Sequence, residues 1–423
     1  MKMMKLHTLA LVIATASGQM AYASSQSESD GFVEGSKLDV FSRALYFNRD
    51  FRDGAGNIPD ASKSSGFKNG YAEETGLGVR VLFESGFTQG TVGVGVDAHS
   101  LSSVVLDSGK GRYGSGQFGQ TDDGSADKTQ SEVGAALKLR VSDTVLKYGN
   151  QIVSAPVFAT DDSRILPEVA TGLLITSGEI NGLDVTLGRF TGLSSQTGTA
   201  RDDLELTTLT LGGLSYKFSD ALTGALFASH VEDHFDKRYL NLNYVTGPLS
   251  FDFNAYRTTD TGQKLSGELD NTIWSLAGAY SVGAHTFTLA HQRSTGNSAY
   301  AYGIDGGGTV YLANSVQLMD FDQEDERSWQ VRYDVDMAAF GVPGLSFMAR
   351  YVRGDNINLG ADLQEGQRWE RNLEARYVVQ QGAAKDLSFR VRQATYRSSD
   401  ADAIGVPDID EVRLIAEYPL NIF

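Results

Sequence analysis

The chain has 423 residues, with 47 glycines, seven prolines, no cysteine and a formal charge of −17. Lack of cysteine excludes disulfide frameworks and thiolate metal sites. So acidic a chain argues against nucleic-acid binding, which rests on cations set against phosphates.

Residues 1–23 read as a secretory signal. Lys2 and Lys5 form its positive start, Leu9 to Ala16 its apolar core, and Ala21-Tyr22-Ala23 a small-x-small cleavage site. The mature chain is expected to begin at Ser24. Since no Asp or Glu precedes Glu28, losing the two lysines takes the charge from −17 to −19. The apolar core is too short to cross a bilayer, and nothing downstream offers the ~18 consecutive apolar residues of a membrane helix. No Pro/Ser linker or shift in composition divides residues 24–423, so a single domain is expected there.

From Ser24 onward most of the chain breaks into segments in which apolar and polar residues alternate. In Leu387-Ser388-Phe389-Arg390-Val391-Arg392 odd positions are apolar and even ones polar or cationic, so successive side chains face opposite environments. The pattern recurs from Trp329 to Asp336, Ala135 to Val141 and Leu345 to Tyr351. It is the pattern of strands with one face in lipid and one in a wet lumen. Short turns at 85–90, 142–144, 180–182, 219–220, 247–248, 281–284, 340–344 and 381–384 alternate with longer polar loops. Those loops lie near 50–74, 102–129, 150–170, 191–203, 233–236, 259–270, 294–326, 355–366 and 398–409. Eight turns and nine loops make 17 connections and 18 strands, with both termini in the periplasm. Val310 to Met319 is apolar enough to be another strand, but spanning there would exchange turns and loops for the rest of the chain. It is therefore expected to fold inward within the seventh loop. The third loop, from Tyr148 to Ala170, carries the apolar Ala155-Pro156-Val157-Phe158 and Arg164, and is expected to pack in the lumen as a constriction. The fold class is all-β: an 18-stranded antiparallel transmembrane β-barrel with inward-folded constriction loops. Val412, Leu414, Ala416, Tyr418, Leu420 and Ile422 form one apolar face before the terminal Phe423, a pattern resembling signals for the barrel-assembly machinery, although Phe423 is out of phase with that face.

Alternation places Arg140, Arg332, Arg350, Arg376, Arg390, Arg392 and Arg413 on inward faces, with Lys138 beside them, while Arg43 and Arg49 share a parity on the first strand. Strand 1 and strands 14 to 18 are contiguous in a closed barrel, so most of these cations should line one side. A guanidinium binds a carboxylate bidentately and keeps its charge, and rows of Arg and Lys select anions in pores. The plainer reading pairs them with Glu374, Asp334, Asp336 and Glu417. Asp320 either faces a substrate ammonium or a loop cation across the constriction, or is a surface carboxylate. Asp122-Asp123, Asp161-Asp162, Asp322 to Glu326 and Asp400 to Asp402 are read as solvated rather than as divalent-cation sites near lipopolysaccharide. His230 and His234 lack an evident third metal ligand, and no G-x-S-x-G, P-loop or H-E-x-x-H occurs. No catalytic residue, cofactor or metal enters the reading.

Longer runs carry a resemblance. They are Gly31-Phe32-Val33-Glu34 with Tyr46-Phe47-Asn48-Arg49-Asp50, Glu84 to Gly93, Ala155 to Phe158 with Ser163-Arg164, Leu312 to Gln317, Gly341 to Leu345, and Ala384 to Gln393. With them the chain, nearly end to end, resembles the OprD-type porins, the outer-membrane carboxylate channels of pseudomonads and relatives. The resemblance implies an 18-stranded barrel, monomeric or loosely trimeric, with inward third and seventh loops. It implies a basic ladder on Arg49, Arg376, Arg390, Arg392 and Arg413, and substrates that share a carboxylate. The seventh-loop serine and aspartate are kept as Ser315 and Asp320. Leu318 replaces the tyrosine that the basic-amino-acid branch has two residues before that aspartate, so the reading leans to the carboxylic-acid branch. Expected partners are small carboxylate solutes, outer-membrane lipid and lipopolysaccharide, and the barrel-assembly machinery.

Overall fold

A strand whose alternate side chains are apolar and polar has two faces that cannot share one solvent, and a closed sheet gives each its own side. The computed structural model describes residues 26–121, 125–304, 308 and 310–423; the signal at 1–23 and the Asp122-Asp123 pair lie outside them. The sheet comprises β1 (Lys37–Phe51), β2 (Tyr71–Glu84), β3 (Gly93–Ser108), β4 (Thr129–Val141), β5 (Thr144–Gln151), β6 (Val169–Ile180), β7 (Leu183–Ser194), β8 (Leu209–Lys217) and β9 (Leu222–Val231). It continues through β10 (Phe235–Thr246), β11 (Leu249–Asp260), β12 (Asp270–Val282), β13 (His285–Gly296), β14 (Arg327–Asp336), β15 (Leu345–Ile357), β16 (Gly366–Val378), β17 (Ser388–Ser398) and β18 (Ile409–Asn421). Each strand pairs antiparallel with the next, and β18 returns to β1 in register from Asp39 opposite Asn421 to Phe51 opposite Ile409. The 18-stranded sheet is a closed barrel with no free edge.

The usual relation of polarity to burial is reversed, as a lipid-embedded barrel requires. Leu289 is 54% exposed and Val331 56%, whereas Gln292, Ser294 and Ser328 on the opposite faces of the same strands are fully buried. The outward apolar side chains meet lipid; the buried polar ones turn toward the lumen and its loops.

Turns and loops alternate as expected, with one correction: the connection at 232–234 between β9 and β10 is only three residues long. Val310 to Met319 forms no strand and lies against the inner wall. Its Ala313 N donates to Ser275 Oγ at 3.0 Å, Asn314 Nδ2 to Ser328 Oγ at 2.8 Å, and Gln330 Nε2 to Ala313 O at 3.1 Å. The third loop does the same. It forms a small hairpin, Ser154–Ala155 with Phe158–Ala159, and its Pro156 carbonyl accepts from Tyr256 OH at 3.1 Å. Glycine at 78 lets the loop reach β2: a Cβ there would stand 2.7 Å from Ile165 O, a backbone atom that could yield only if the loop moved. Loop and wall share one apolar cluster, which includes Val157, Phe190, Tyr256, Tyr300 and Leu312.

Candidate functional site: a guanidinium wall inside the barrel

Register brings the inward cations of separate strands together. Arg332 lies opposite Arg350, Arg376 opposite Arg390, and Arg392 opposite Arg413. The β18-to-β1 pairing then sets Arg413 opposite Phe47, Glu411 opposite Arg49 and Glu417 opposite Arg43. The buried Phe47 ring is the hub: the guanidinium carbons of Arg413, Arg49 and Arg164 lie 4.7, 5.3 and 5.5 Å from its centre. Two of these cations share one acid. Arg413 Nε reaches Glu411 Oε1 at 2.5 Å and Arg49 Nε reaches Oε2 at 2.8 Å. Arg164 has no carboxylate partner among the described residues and donates to Ser115 O at 3.1 Å and Ser163 Oγ at 2.8 Å. Burial, then the nearby Arg413 and Arg49, push its pKa down to about 10 against the weaker pull of Asp161 and Glu411, so at neutral pH it remains a cation.

Pairing with wall acids is extensive without being complete. Arg390 and Arg392 both approach Glu374, at 3.5 and 3.1 Å, and Arg332 pairs with Asp334 at 2.7 Å. Arg43 is held by Glu417 and Asp162, both at 2.9 Å. Asp336 does not join: its carboxylate accepts from Ala338 N at 2.9 Å and caps the short helix Met337–Phe340. Arg350 donates to the neutral Asn372 at 2.9 Å, and the Nε of Arg376 is buried without a hydrogen-bond partner. Cations outnumber acids along this wall.

Arg140 and Lys138 stand apart from the row, since they lie on β4 toward the short turn at 142–143. Arg140 Nε donates to Gln26 Oε1 at 2.8 Å, its guanidinium carbon lies 4.2 Å from the Phe87 ring centre, and Lys138 pairs with Asp97 at 2.5 Å.

Two acidic loop clusters that read as solvated are structural. Asp162 accepts from Arg80 NH1 at 2.8 Å as well as from Arg43; burial opposes its ionisation, yet these two arginines hold its pKa below the usual carboxylate range. In the seventh loop Glu326, fully buried, and Asp322 pair with Arg368 of β16 at 2.5 and 3.3 Å. Sequence reasoning missed Arg80, Arg368 and Glu370. The parity of Ala72, Glu74, Gly76 and Gly78 pointed to Arg80, while Glu370 accepts from Leu318 N and Met319 N at 3.0 and 2.9 Å and so fixes the seventh loop.

Asp320 is half-buried and is held inside the seventh loop by hydrogen bonds, which argues against a free surface carboxylate. Ser315 Oγ donates to its Oδ1, and Tyr302 OH bridges its Oδ2 at 2.6 Å and Asp322 Oδ2 at 2.7 Å. A tyrosine hydroxyl is therefore present despite Leu318, supplied from earlier in the same loop. Burial foremost, then Asp322, raise the Asp320 pKa despite the opposing bonds from Ser315 and Tyr302. Asp320 thus takes its proton at higher pH than a free carboxyl, and acidification removes a negative charge from the seventh loop. Reversal potentials measured from about pH 7 to about pH 4 should move toward anion preference, beginning above the ordinary carboxylate range. D320N should remove that first phase; an unchanged titration in this variant would contradict the assignment. His230 and His234 do not converge: the first bonds Asp236 and the second Ser266, each at 2.7 Å.

A family model described as outer membrane porin, OprD family, matches residues 30–422. Porin D of Pseudomonas aeruginosa is 42% identical over 458 aligned residues, covering all of both chains. Among solved structures, Acinetobacter baumannii OccAB1 matches with a TM-score of 0.85 at 31% identity, over 95% of this chain and 100% of its own. Pseudomonas aeruginosa OpdK, solved with vanillate, matches with a TM-score of 0.81 at 32% identity, over 92% and 100%.

Proposed function

We propose that this chain, which belongs to the OprD family of outer-membrane porins, passes small carboxylate-bearing nutrients, organic or aromatic acids foremost, by passive diffusion along its arginine wall. The carrying observation is the imbalance around Phe47, where Arg49, Arg164 and Arg413 meet the single carboxylate Glu411. A solute carboxylate supplies the missing negative charge there, bidentately and without ATP or a cofactor. It then passes by Arg392 to Arg390 and Arg376 toward the short-turn end, where Arg140 and Lys138 flank the exit and Arg43 draws from the first strand. Arg164, from the third loop, and Ser315 and Asp320, from the seventh, form the constriction. The vanillate of OpdK, an aromatic carboxylate, supports this substrate class by analogy.

Residues 1–23 act as the export signal, the mature barrel begins at Ser24, and both termini lie in the periplasm with the long loops outside. The barrel-assembly machinery inserts it, as a monomer or weak homotrimer.

A second reading, a basic-amino-acid channel, draws on the Asp320 and Asp322 carboxylates joined by Tyr302, an arrangement able to face an ammonium. Proteoliposome swelling separates the two: benzoate-like acids should enter faster than arginine, and faster arginine entry would overturn the first reading. A plugged structural barrel would conduct nothing in a planar bilayer.

A further inference from the structure

The outward face near the loop end carries an arrangement that solute passage does not use. Across β13 to β17 one row of directly opposed residues runs His291, Trp329, Arg353, Trp369, Arg397. One step toward the loops Arg293 stands directly opposite Arg327, and one step toward the turns Tyr351 stands opposite Arg371. Every one of these side chains points away from the lumen, because residues of the other parity, such as Ser328, Arg368 and Asn372, are the buried ones.

Like charges directly opposite each other on a sheet destabilise it unless something neutralises them. Arg327 pairs with Asp355 at 2.5 Å, and Arg397 with Asp410 at 2.9 Å. Arg353 and Arg371 reach only neutral partners, Gln367 at 3.1 Å and Thr395 at 3.4 Å. Among the described residues no carboxylate forms an ion pair with Arg293, Arg353 or Arg371. The sector also holds His291 stacked on Trp329 at 4.3 Å and Tyr351 on Trp369 at 5.8 Å, the amphipathic rings of a membrane–water boundary. Lipid phosphates lie at that boundary. All five cations are arginines, whose planar fork fits phosphate oxygens.

We propose that the outward face of β13 to β17 is a lipid site whose arginines bind the headgroup phosphates of the leaflet meeting the loop end. With the long loops outside the cell, the orientation proposed above on which this occupant rests, the bound lipid is the phosphorylated glycolipid of the outer leaflet.

Native mass spectrometry of the detergent-purified full chain tests this with four probes: lipid A carrying its phosphates, the same lipid with them removed, phosphatidylglycerol, and inorganic phosphate. The wild type should retain phosphorylated lipid A at least about tenfold better than R293Q/R353Q/R371Q and better than it retains the dephosphorylated lipid, given a cost of about one order per one or two lost cations. Lysine at the same three positions should give intermediate retention, and all variants should keep the wild-type single-channel conductance, which shows that the barrel is closed. Equal retention by the glutamine variant, or indifference to the lipid phosphates, would overturn the site. Ready displacement by inorganic phosphate would overturn the lipid as occupant. An arginine-dependent preference for phosphatidylglycerol would overturn the outer-leaflet assignment and its orientation, leaving the channel reading intact.

Discussion

Replacing Arg390 and Arg392 together by glutamine should turn ion preference toward cations, read as a shift of reversal potential in a salt gradient. Both guanidiniums lie inward on β17 and share Glu374 of β16, at 3.5 and 3.1 Å. Two cations and one anion become one anion alone, a swing of two charges beside the solute path. At ~6 Å in water each charge is worth ~0.7 kcal/mol, so the pair favours a cation by ~1.4 kcal/mol and opposes an anion by as much, about a hundredfold change at most in the cation-to-anion permeability ratio. Adding E374Q should restore about half of that free energy, since it removes the orphaned acid. A double variant with the wild-type reversal potential would contradict the role given to the wall.

Leu289→Arg should be the most destabilising single change on the outer face. Leu289 sits at the middle of β13, beside Val331 of β14 and Gly278 of β12, and is 54% exposed to what in the membrane is hydrocarbon. An arginine at the bilayer midplane costs about 2–4 kcal/mol in transmembrane barrels. Equilibrium unfolding from lipid vesicles should register that loss, whereas Gln292→Arg on the buried, lumen-side parity should disturb loop packing rather than lipid contact. A tolerated Leu289→Arg would mean that the faces have been assigned the wrong way round.

Strand number, the sense of each face and the inward run of Val310 to Met319 were legible because alternation and connection length are local properties. A side chain's neighbours across the sheet are not. Glu374 could be named as a partner for the arginines, but that it serves both Arg390 and Arg392 follows from the β16–β17 register. Arg80 and Arg368 were missed although each obeys its strand's parity, because their partners Asp162, Asp322 and Glu326 come from loops. A carboxylate in a polar loop reads as solvated until the loop is known to fold back onto a cationic wall. The Leu318 departure was legible, but the hydroxyl that Tyr302 brings to Asp320 from 18 residues earlier in the chain was not. The third loop's approach to β2 rested on a missing side chain, Gly78, whose significance appears only when Ile165 is placed beside it.

The seam between β1 and β18 imposes an order on how the molecule comes into being. Arg43 and Glu417, which bond across it, are 374 residues apart in the chain. Bringing such distant segments together costs on the order of 5 kcal/mol in chain entropy, against far less for each neighbouring hairpin. Hairpins therefore zip early and the first strand, paired with β2 on one edge, waits for the last with the ladder groups of its other edge unpaired through most of biogenesis. A chain cut short before Ile409 would leave that wait unresolved, with two unsatisfied strands ready to pair with a stranger.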